Sequence, residues 1–468
     1  MIGRLTLRSL VMHPVRTAVL AGGFGLGVAV MANLLGVAAV VLEQSQSPSL
    51  AGGGDVVLTG AAGPVTSARY LLWGALGAPA FANRIAVAAP TRRDTLYLVQ
   101  DGATTRLRAR GGIPSLERAL GDPETAGSPV WQDAPADAAW TAPDPDDVLR
   151  GLDRFHAIPD VPARAGSWTE WLYFNGQSGT TRFYLTFLVG PRLENGRRAA
   201  GVRLQLDRGG VVTSYGDAAE VDGDEVLATA PELTIGANTV RLEGGRYVIA
   251  FDLGAGRSPG RREARATGDI VLAARRGQTL PPIAMTGAGG WVSGYVVPVM
   301  SGALDGVIRV DGQALPLSGG SGYHDHNWGF WEGVSWQWGQ VQHDGLSILY
   351  GRVFPPADAA DASRMPGFLM VLGPDGPLGQ ATRVTIDETN DDAAGRPSRI
   401  VVMGTSPSLD LTLDIAVESG VTTPMTGGPR ANGLDFFQLR GRYTVSGTAG
   451  ERPLNFTAPG AAETFRGR

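Results

Sequence analysis

From about residue 165 onward, the chain is a succession of short segments in which apolar and polar residues alternate, separated by turn residues. A period of two places every second side chain on the same face, which is typical of strands in antiparallel sheets. The chain contains 67 glycines and 31 prolines but keeps 43% apolar residues, a balance that favours strands and turns over disorder. We therefore predict an all-β fold, either a sandwich or a barrel. A barrel of this size can enclose a hydrophobic ligand.

Charge and cysteine content exclude several classes of function. The formal net charge is -5 and there is no block rich in Lys and Arg, so we expect no nucleic-acid partner. The chain has no cysteine, which excludes disulfides, thiolate metal sites and cysteine nucleophiles. The Walker, G-x-S-x-G and H-E-x-x-H motifs do not occur either, which removes the commonest nucleotide-binding and hydrolase mechanisms.

The N-terminal part contains an uncharged run of 26 residues, from Thr17 to Leu42. As a helix that rises about 1.5 Å per residue, this run is long enough to cross a hydrocarbon core of about 30 Å. Arg4, Arg8 and Arg16 precede it, so the N-terminus is expected in the cytoplasm. A cleaved signal peptide is the alternative, but its apolar region would be about half as long. We predict a single-pass anchor in the cytoplasmic (inner) membrane, with the remaining domains outside the cytoplasm.

The same patterns divide the chain into five segments. We predict an anchor at residues 1–45, a small mixed region at 46–125, a linker at 126–160, and β-barrels at 161–305 and 306–468. The linker is assigned because this stretch is rich in Ala, Pro, Asp and Gly. In the first barrel, strands at 168–174 and 182–189 are predicted to flank a glycine-containing loop at 175–179.

The densest group of chemically versatile side chains lies in the segment GSGYHDHNWG, at residues 320–329. It places His324, Asp325 and His326 in succession between two aromatic residues, Tyr323 and Trp328. Glycine allows close backbone approach, and titratable groups concentrated in this way are typical of functional sites. We therefore predict that any chemical site lies here. The other candidate ligand-binding residues are Glu170, Trp171, Trp336, Trp338, His343 and Arg352.

Strand geometry leaves three interpretations of this segment open. His324 and His326 share one face of a strand, and Asp325 points to the other. The two histidines could bind a metal with His343 as a third ligand. Alternatively, Asp325 could act as an acid, since burial among aromatic residues raises a carboxyl pKa, with His326 or Tyr350 assisting. In the third interpretation these groups only satisfy buried backbone amides. We take Asp325, His326 and Tyr350 as the catalytic candidates, and predict no metal or other cofactor.

A hairpin follows this segment, because an Asp-Gly pair at residues 344 and 345 separates two alternating strands. The turn predicts that His343, Tyr350 and Arg352 share one face of the hairpin. Trp336 and Trp338 then lie on the opposite face. Only one of the two faces can line a given cavity.

Two motifs resemble a known family. Residues 170–176, EWLYFNG, resemble its E-W-W-Y-F-N-G signature with Leu172 in place of the second Trp, and residues 322–329, GYHDHNWG, match its G-Y-H-D-H-N-W-G signature. The family is the AttH/CrtC-like group, which includes the carotenoid 1,2-hydratases. The resemblance covers about residues 160–468 and implies two lipocalin-like β-barrels in tandem. Glu170 would be either a buried polar anchor of the first barrel or part of a ligand site.

The resemblance also implies a class of activity. In the hydratases an acid protonates an isolated alkene and water adds to the resulting cation. His326-Asn327-Trp328 matches their H-x-W stretch, whereas Tyr350-Gly351-Arg352 has arginine in place of the acid of their Tyr-x-Asp stretch. Related members are associated with pericyclic cyclisation, in which a shaped pocket positions the substrate. The chain is therefore expected to bind an isoprenoid or lipid, or alternatively to act on it as a hydratase, cyclase or hydrolase.

A looser resemblance concerns the N-terminus. Residues 7–10 and 13–17, with the glycine-rich run that follows, resemble the start of an FtsX/MacB-type ABC transporter permease over about residues 1–75. This implies that the protein works beside such a transporter. The expected partners are thus a hydrophobic small molecule, the membrane and ABC transporter subunits.

Overall fold

The structure, a computed structural model, describes residues 12–15, 56–58, 68, 72, 81, 84–101, 103–122, 125, 130–141, 144–255, 264–275, 277–391, 395–425 and 434–467. The predicted membrane anchor, from Thr17 to Leu42, lies outside these residues. None of the helices within the described ranges has the length and apolar character needed to span a bilayer. The chain divides into two units, one formed by residues 1–65 and 87–137 and the other by residues 66–86 and 138–468.

The first unit contains a β-hairpin and a short helix. Strands β1 (Thr91–Gln100) and β2 (Ala103–Gly112) pair antiparallel, and helix α1 (Pro114–Ala119) follows. The buried carboxylate of Glu117 on α1 forms an ion pair with Arg110 at the end of β2. This unit therefore contains both strands and a helix.

The second unit begins with two helices, α2 (Ala138–Thr141) and α3 (Pro145–Leu152). Helix α3 starts at a proline, and the Asp144 side chain caps it by accepting a hydrogen bond from the Asp146 amide. Its buried face carries Leu149, which belongs to the apolar core of the first sheet. The segment predicted as a linker therefore contains a helix that packs into the first barrel, because the capping signal outweighs the Pro- and Asp-rich composition.

The first sheet has 12 strands, all paired antiparallel. Eight of these strands pair in the order β10-β12-β14-β3-β4-β5-β6-β9, and β9 also pairs with β10. The eight strands therefore form a closed ring, as a barrel requires. Phenylalanine and leucine side chains fill the interior of this ring. The strands are β3 (Trp168–Ser178), β4 (Thr181–Arg192), β5 (Arg198–Arg208), β6 (Val211–Val221), β7 (Leu233–Ile235), β8 (Asn238–Glu243), β9 (Arg246–Ala255), β10 (Arg265–Ala273), β11 (Leu280–Thr286), β12 (Val292–Val310), β13 (Gln313–Pro316) and β14 (Gly320–Phe330). Helix α4 (Gly223–Thr229) connects β6 to β7.

The second sheet has nine antiparallel strands in the order β18-β17-β16-β15-β23-β22-β21-β20-β19. The hydroxyl of Ser406 on β20 donates to the carbonyl of Gln380 on β18 over 2.6 Å, so the sheet curls until strands near its two ends meet. A second apolar core fills the curl. The strands are β15 (Ser335–His343), β16 (Leu346–Phe354), β17 (Phe368–Gly373), β18 (Gly376–Ala381), β19 (Arg383–Asp391), β20 (Arg396–Ser406), β21 (Leu409–Met425), β22 (Leu434–Ala449) and β23 (Arg452–Gly467). The all-β fold is thus confirmed.

The two sheets divide between Phe330 and Ser335, whereas the boundary predicted at 305/306 falls inside strand β12. Asp305 and Gly306 have the composition of a turn, but here they lie in a continuous strand. Gly306 has φ 106°, and a β-carbon there would clash with the carbonyl oxygen of Asp269 on the neighbouring strand. The glycine therefore marks a close backbone approach and not the end of a strand.

The sheets contact each other through one face of β14 and its neighbours. The Gln340 amide on β15 donates to the Asn175 side-chain oxygen on β3 over 3.2 Å. The Trp338 indole N–H, also on β15, donates to the Tyr295 hydroxyl on β12 over 3.1 Å. As a result, β14 has the first barrel's interior on one side and the second sheet on the other.

Candidate functional site

Strand β14 carries the predicted chemical segment in the middle of the first sheet, between β3 and β12. Its side chains alternate between two environments. His324 and His326 point into the first barrel, where His324 stacks on Phe174 with ring centroids 4.1 Å apart. Tyr323 and Asp325 point towards the second sheet. The opposite orientation of Asp325 and the two histidines, predicted from strand geometry, is confirmed.

On the barrel side, the histidines belong to a chain of hydrogen-bonded side chains that we call the histidine-carboxylate network. His324 Nε2 and His326 Nδ1 lie 2.9 Å and 2.8 Å from the two oxygens of Asp153, which follows helix α3. His326 Nε2 lies 2.9 Å from Glu170 Oε1 on β3, and His156 Nδ1 lies 2.7 Å from the same oxygen. Of these five residues only His156 is partly exposed. The network therefore ties the segment after α3 to β3 and β14 inside the barrel.

The network holds opposite charges in a buried place. Burial by itself would lower the pKa of His326, but hydrogen bonds and charges from Asp153 and Glu170 outweigh it and raise that pKa to about 9. Burial would likewise raise the pKa of Asp153, yet His324 and His326 lower it to about 2. Burial would also raise the pKa of Glu170, but hydrogen bonds and charges from His156 and His326 lower it. His326 is therefore a cation between two carboxylates at neutral pH.

Three members of the network are also the group that could hold a metal ion in the described part of the chain. Ligand atoms of His156, Glu170 and His326 lie within 4.8 Å of one another. A tetrahedral zinc with ligands at about 2.1 Å would keep them about 3.4 Å apart. The bonded pairs here are 2.7 Å and 2.9 Å apart, which are hydrogen-bond distances. The side chains are thus spaced to share protons.

On the other side of β14, Asp325 is buried and accepts two hydrogen bonds. The Tyr323 hydroxyl donates to Oδ2 over 2.9 Å and the Asn327 amide donates to Oδ1 over 2.8 Å. The Tyr323 hydroxyl is also 2.6 Å from that of Tyr295, which accepts the Trp338 indole N–H. A row of polar groups therefore runs from the second sheet to the Asp325 carboxyl.

Aromatic side chains from both sheets surround this carboxyl, and we call them the inter-sheet cluster. A second acid, Glu463 on β23, accepts from the Trp336 indole over 3.0 Å and from the Gln438 amide over 3.2 Å. Burial, and next the charge of Glu463, raise the pKa of Asp325 well above its ordinary value, while burial raises the pKa of Glu463. The cluster consists of Trp171, Tyr173, Tyr184, Tyr295, Tyr323, Trp336 and Trp338. Asp325 is therefore a buried acid that holds its proton more strongly than an ordinary carboxyl, in apolar surroundings.

The hairpin of β15 and β16 has the predicted register, with His343 opposite Leu346 and Gly339 opposite Tyr350. Asp344 and Gly345 form its turn with positive φ at both positions. The side chain of Tyr350 points away from β14 into the second apolar core. The three catalytic candidates therefore do not form one site, because Asp325 faces the cluster, His326 faces the network and Tyr350 lies in the second core.

The remaining candidates also separate. Trp171, Trp336 and Trp338 belong to the inter-sheet cluster. Glu170, His324 and Trp328 are on the network side, where Trp328 stacks on His156 with centroids 4.1 Å apart. This favours Glu170 as a buried anchor. His343 is exposed and stacks on Phe456 at 4.3 Å, so it does not join the other histidines as a metal ligand. Arg352 donates to the Ala362 carbonyl over 3.2 Å, away from Asp325.

Sequence reasoning missed Asp153, His156 and Glu463. The pair Asp144-Pro145 is a helix-start signal that would have placed Asp153 at the end of a helix. Glu463 carries no such signal, because only the pairing of β15 with β23 brings it beside Trp336.

Comparisons with known proteins gave matches only among solved structures. No family model and no curated protein matches the chain. A protein described as AttH from Nitrosomonas europaea has a TM-score of 0.43 at 14% identity, covering 63% of this chain and 92% of its own. CghA with Sch210972 has a TM-score of 0.45 at 14% identity (67% and 94% covered), and kievitone hydratase from Nectria haematococca has 0.41 at 13% (67% and 94%). Such scores are too low to transfer a fold or an activity.

Proposed function

We propose that the protein binds a hydrophobic small molecule of the isoprenoid or lipid class in the inter-sheet cluster, and that Asp325 donates a proton to it. The observation that carries this proposal is the buried carboxyl of Asp325, whose pKa burial raises, beside aromatic side chains from both sheets.

The cluster has the composition of a site for apolar ligands. Sites of this kind are lined mostly by aromatic and apolar side chains, with a few polar groups that fix orientation. Trp171, Tyr184, Tyr295 and Trp336 are only partly buried, so each keeps surface that a ligand can contact. Most of these rings contact one another edge-on or tilted, as for Trp171 and Trp336 with centroids 6.1 Å apart, whereas Tyr173 and Tyr184 are stacked.

Asp325 is suited to protonate such a ligand. Asp325 is the acceptor in both of its hydrogen bonds, so the acidic proton of its neutral form takes part in neither. Transfer of that proton to one carbon of an alkene breaks the π bond and leaves a cation at the other carbon. Water then forms the new C–O bond and returns a proton to the carboxylate, or an internal alkene closes a ring. The π faces of neighbouring aromatic rings stabilise the cation.

Binding without chemistry is the simpler form of the proposal, and one substitution separates the two. Asp325→Asn keeps the shape and can still accept from Asn327 on its one oxygen, while its NH2 group can donate to the Tyr323 hydroxyl, but it has no acidic proton. With full-length protein and acyclic isoprenoids, we expect binding, measured by tryptophan quenching, to stay within about twofold. Formation of a product heavier by one water, or of a cyclised isomer, should be lost.

Asp414→Asn is the matched control, since Asp414 is an exposed carboxylate paired with Arg399. Turnover that survives Asp325→Asn would refute the acid role. Failure of the wild-type protein to bind any of the isoprenoids would refute the binding site itself.

The cellular setting of this site is proposed on the sequence alone. The apolar run from Thr17 to Leu42 would anchor the chain in the cytoplasmic membrane, with the barrels outside the cytoplasm. The N-terminal resemblance to an ABC permease adds transporter subunits as partners in this proposal. Deletion of residues 1–45 tests both, since it should release the protein from membranes and from any permease.

A further inference from the structure

We infer that Arg182 binds an anionic group at one end of the ligand, so that the ligand is an apolar molecule with a terminal carboxylate or phosphate. This inference rests on the proposed binding of an apolar molecule in the inter-sheet cluster, and it names the class of that molecule.

Arg182 lies on β4 at the edge of the cluster. It precedes Tyr184 by two residues, so the two side chains share one face of the strand. At about 3.3 Å per residue the two positions are about 7 Å apart along the strand. The Tyr184 ring is 6.4 Å from that of Tyr173, which in turn is 6.5 Å from Tyr323, the residue that donates to Asp325. A row of tyrosines thus connects Arg182 to the proposed acid.

Within the described residues, the guanidinium of Arg182 is close to charged groups but is not hydrogen-bonded to any of them. The residue is only 7% exposed, yet no hydrogen bond or ion pair joins its side chain to any other residue in the described ranges. A guanidinium has five N–H donors, and those of Arg182 keep accessible surface although most of the residue is buried. These donors are therefore within reach of a ligand at the edge of the cluster.

The charges around Arg182 favour an anion. Its nearest carboxylates are already engaged, because Asp207 accepts from Arg440 over 3.4 Å and Glu418 pairs with Arg440 at 3.2 Å and Arg442 at 2.8 Å. Three arginines thus share two carboxylates. Burial, and next the positive charge of Arg440, lower the pKa of Arg182, as expected for a cation without its own counter-charge. An anionic ligand group would balance this charge.

The chemistry of arginine defines the ligand group. The planar guanidinium donates two parallel hydrogen bonds, which match the two oxygens of a carboxylate or of a phosphate. The ligand would place its anionic end at Arg182 and its apolar chain along the tyrosine row. The part of the chain beside Asp325 is then the part that receives the proton.

Three probes with one polyene chain test this inference: retinol, retinoic acid and retinyl phosphate, each titrated into the full-length protein and followed by tryptophan quenching. We expect the wild-type protein to bind at least one anionic probe about ten- to hundredfold more tightly than retinol, as charged hydrogen bonds require. In Arg182→Gln this preference should disappear while retinol binding is unchanged, and Arg182→Lys should keep part of it. The better anion distinguishes carboxylate from phosphate.

Arg198→Gln is the matched control, because Arg198 is as deeply buried but donates to the Gly190 carbonyl over 2.8 Å. It should leave the preference intact. Equal binding of all three probes to the wild-type protein would overturn the inference and leave the proposed apolar site standing. Weaker retinol binding in Arg182→Gln, but not in Arg198→Gln, would also overturn it, since Arg182 would then support the shape of the cluster. If the wild-type protein bound none of the probes, the proposed function would fail as well.

Discussion

The buried cation His326 makes a quantitative prediction about pH and stability. Its pKa is about 9 in the folded protein, against 6.5 for an unperturbed histidine. Because folding raises this pKa, the stabilisation is fully present below pH 6.5 and is lost as the pH rises through 9. At about 1.4 kcal/mol for each pH unit, the loss across this window amounts to about 3 kcal/mol.

The perturbation is Asp153→Asn, which removes one of the two carboxylates bonded to His326. The pKa of His326 should fall towards its ordinary value, and most of the pH dependence between 6.5 and 9 should disappear. Removing one partner of a buried ion pair also lowers the free energy of unfolding by about 3–5 kcal/mol at neutral pH. Asp414→Asn, which breaks an exposed pair with Arg399, should cost less than about 1 kcal/mol.

Two measurements test this prediction. The chain has five histidines, so their ring signals can be followed by NMR in selectively labelled protein, and His326→Gln identifies the signal of His326. Urea unfolding between pH 6 and 9.5 gives the stability of each variant. Since Asp325 and Glu463 also titrate differently on unfolding, the test is the difference between wild type and Asp153→Asn. Titration of folded His326 near 6.5, or parallel pH profiles for the two proteins, would refute the reasoning.

Two further predictions concern metal removal and glycine. Treatment with EDTA should leave the thermal unfolding midpoint unchanged, because His156, Glu170 and His326 are bonded to one another; a lower midpoint that zinc restores would contradict this. Gly447→Ala should destabilise the protein more than Gly345→Ala in the same unfolding assay. Both glycines have positive φ, but a β-carbon at 447 would clash with a backbone carbonyl, whereas at 345 it would meet only a proline ring at 3.7 Å. Equal losses of stability in the two variants would show that the clash at residue 447 is relieved.

The features that were predictable from the sequence are the local ones. The register of the β15–β16 hairpin follows from its Asp-Gly turn, and the two faces of β14 follow from strand alternation. The loop predicted at 175–179 shows the limit of such signals. Strand β3 continues to Ser178, and Gly176 lies inside it because a β-carbon there would be 2.7 Å from the Phe183 ring. A glycine required by a neighbouring side chain is indistinguishable in sequence from one required by a turn.

Which groups share a site depends on packing between distant segments. The sequence predicts Tyr350 as a group that assists Asp325, but the hairpin turns its tryptophan face to β14 and its tyrosine face to the second core. Glu463 reaches the cluster through the last strand of the chain. Alternation predicts two faces for a strand, but the approach of the second sheet decides what each face meets.

The histidine-carboxylate network also has a consequence for how the protein is made. His326 is hydrogen-bonded to Asp153, which lies 173 residues earlier in the chain, and to Glu170, which lies 156 residues earlier. A ribosome that adds about 5–20 residues per second needs roughly 9–35 s to synthesise the chain between Asp153 and His326. During that time both carboxylates lack the cation that later neutralises them, and β3 lacks β14, the strand that completes its pairing. The first barrel therefore cannot close while its own N-terminal half is being translated, and nascent chains shorter than about 330 residues should expose its apolar core to chaperones and proteases.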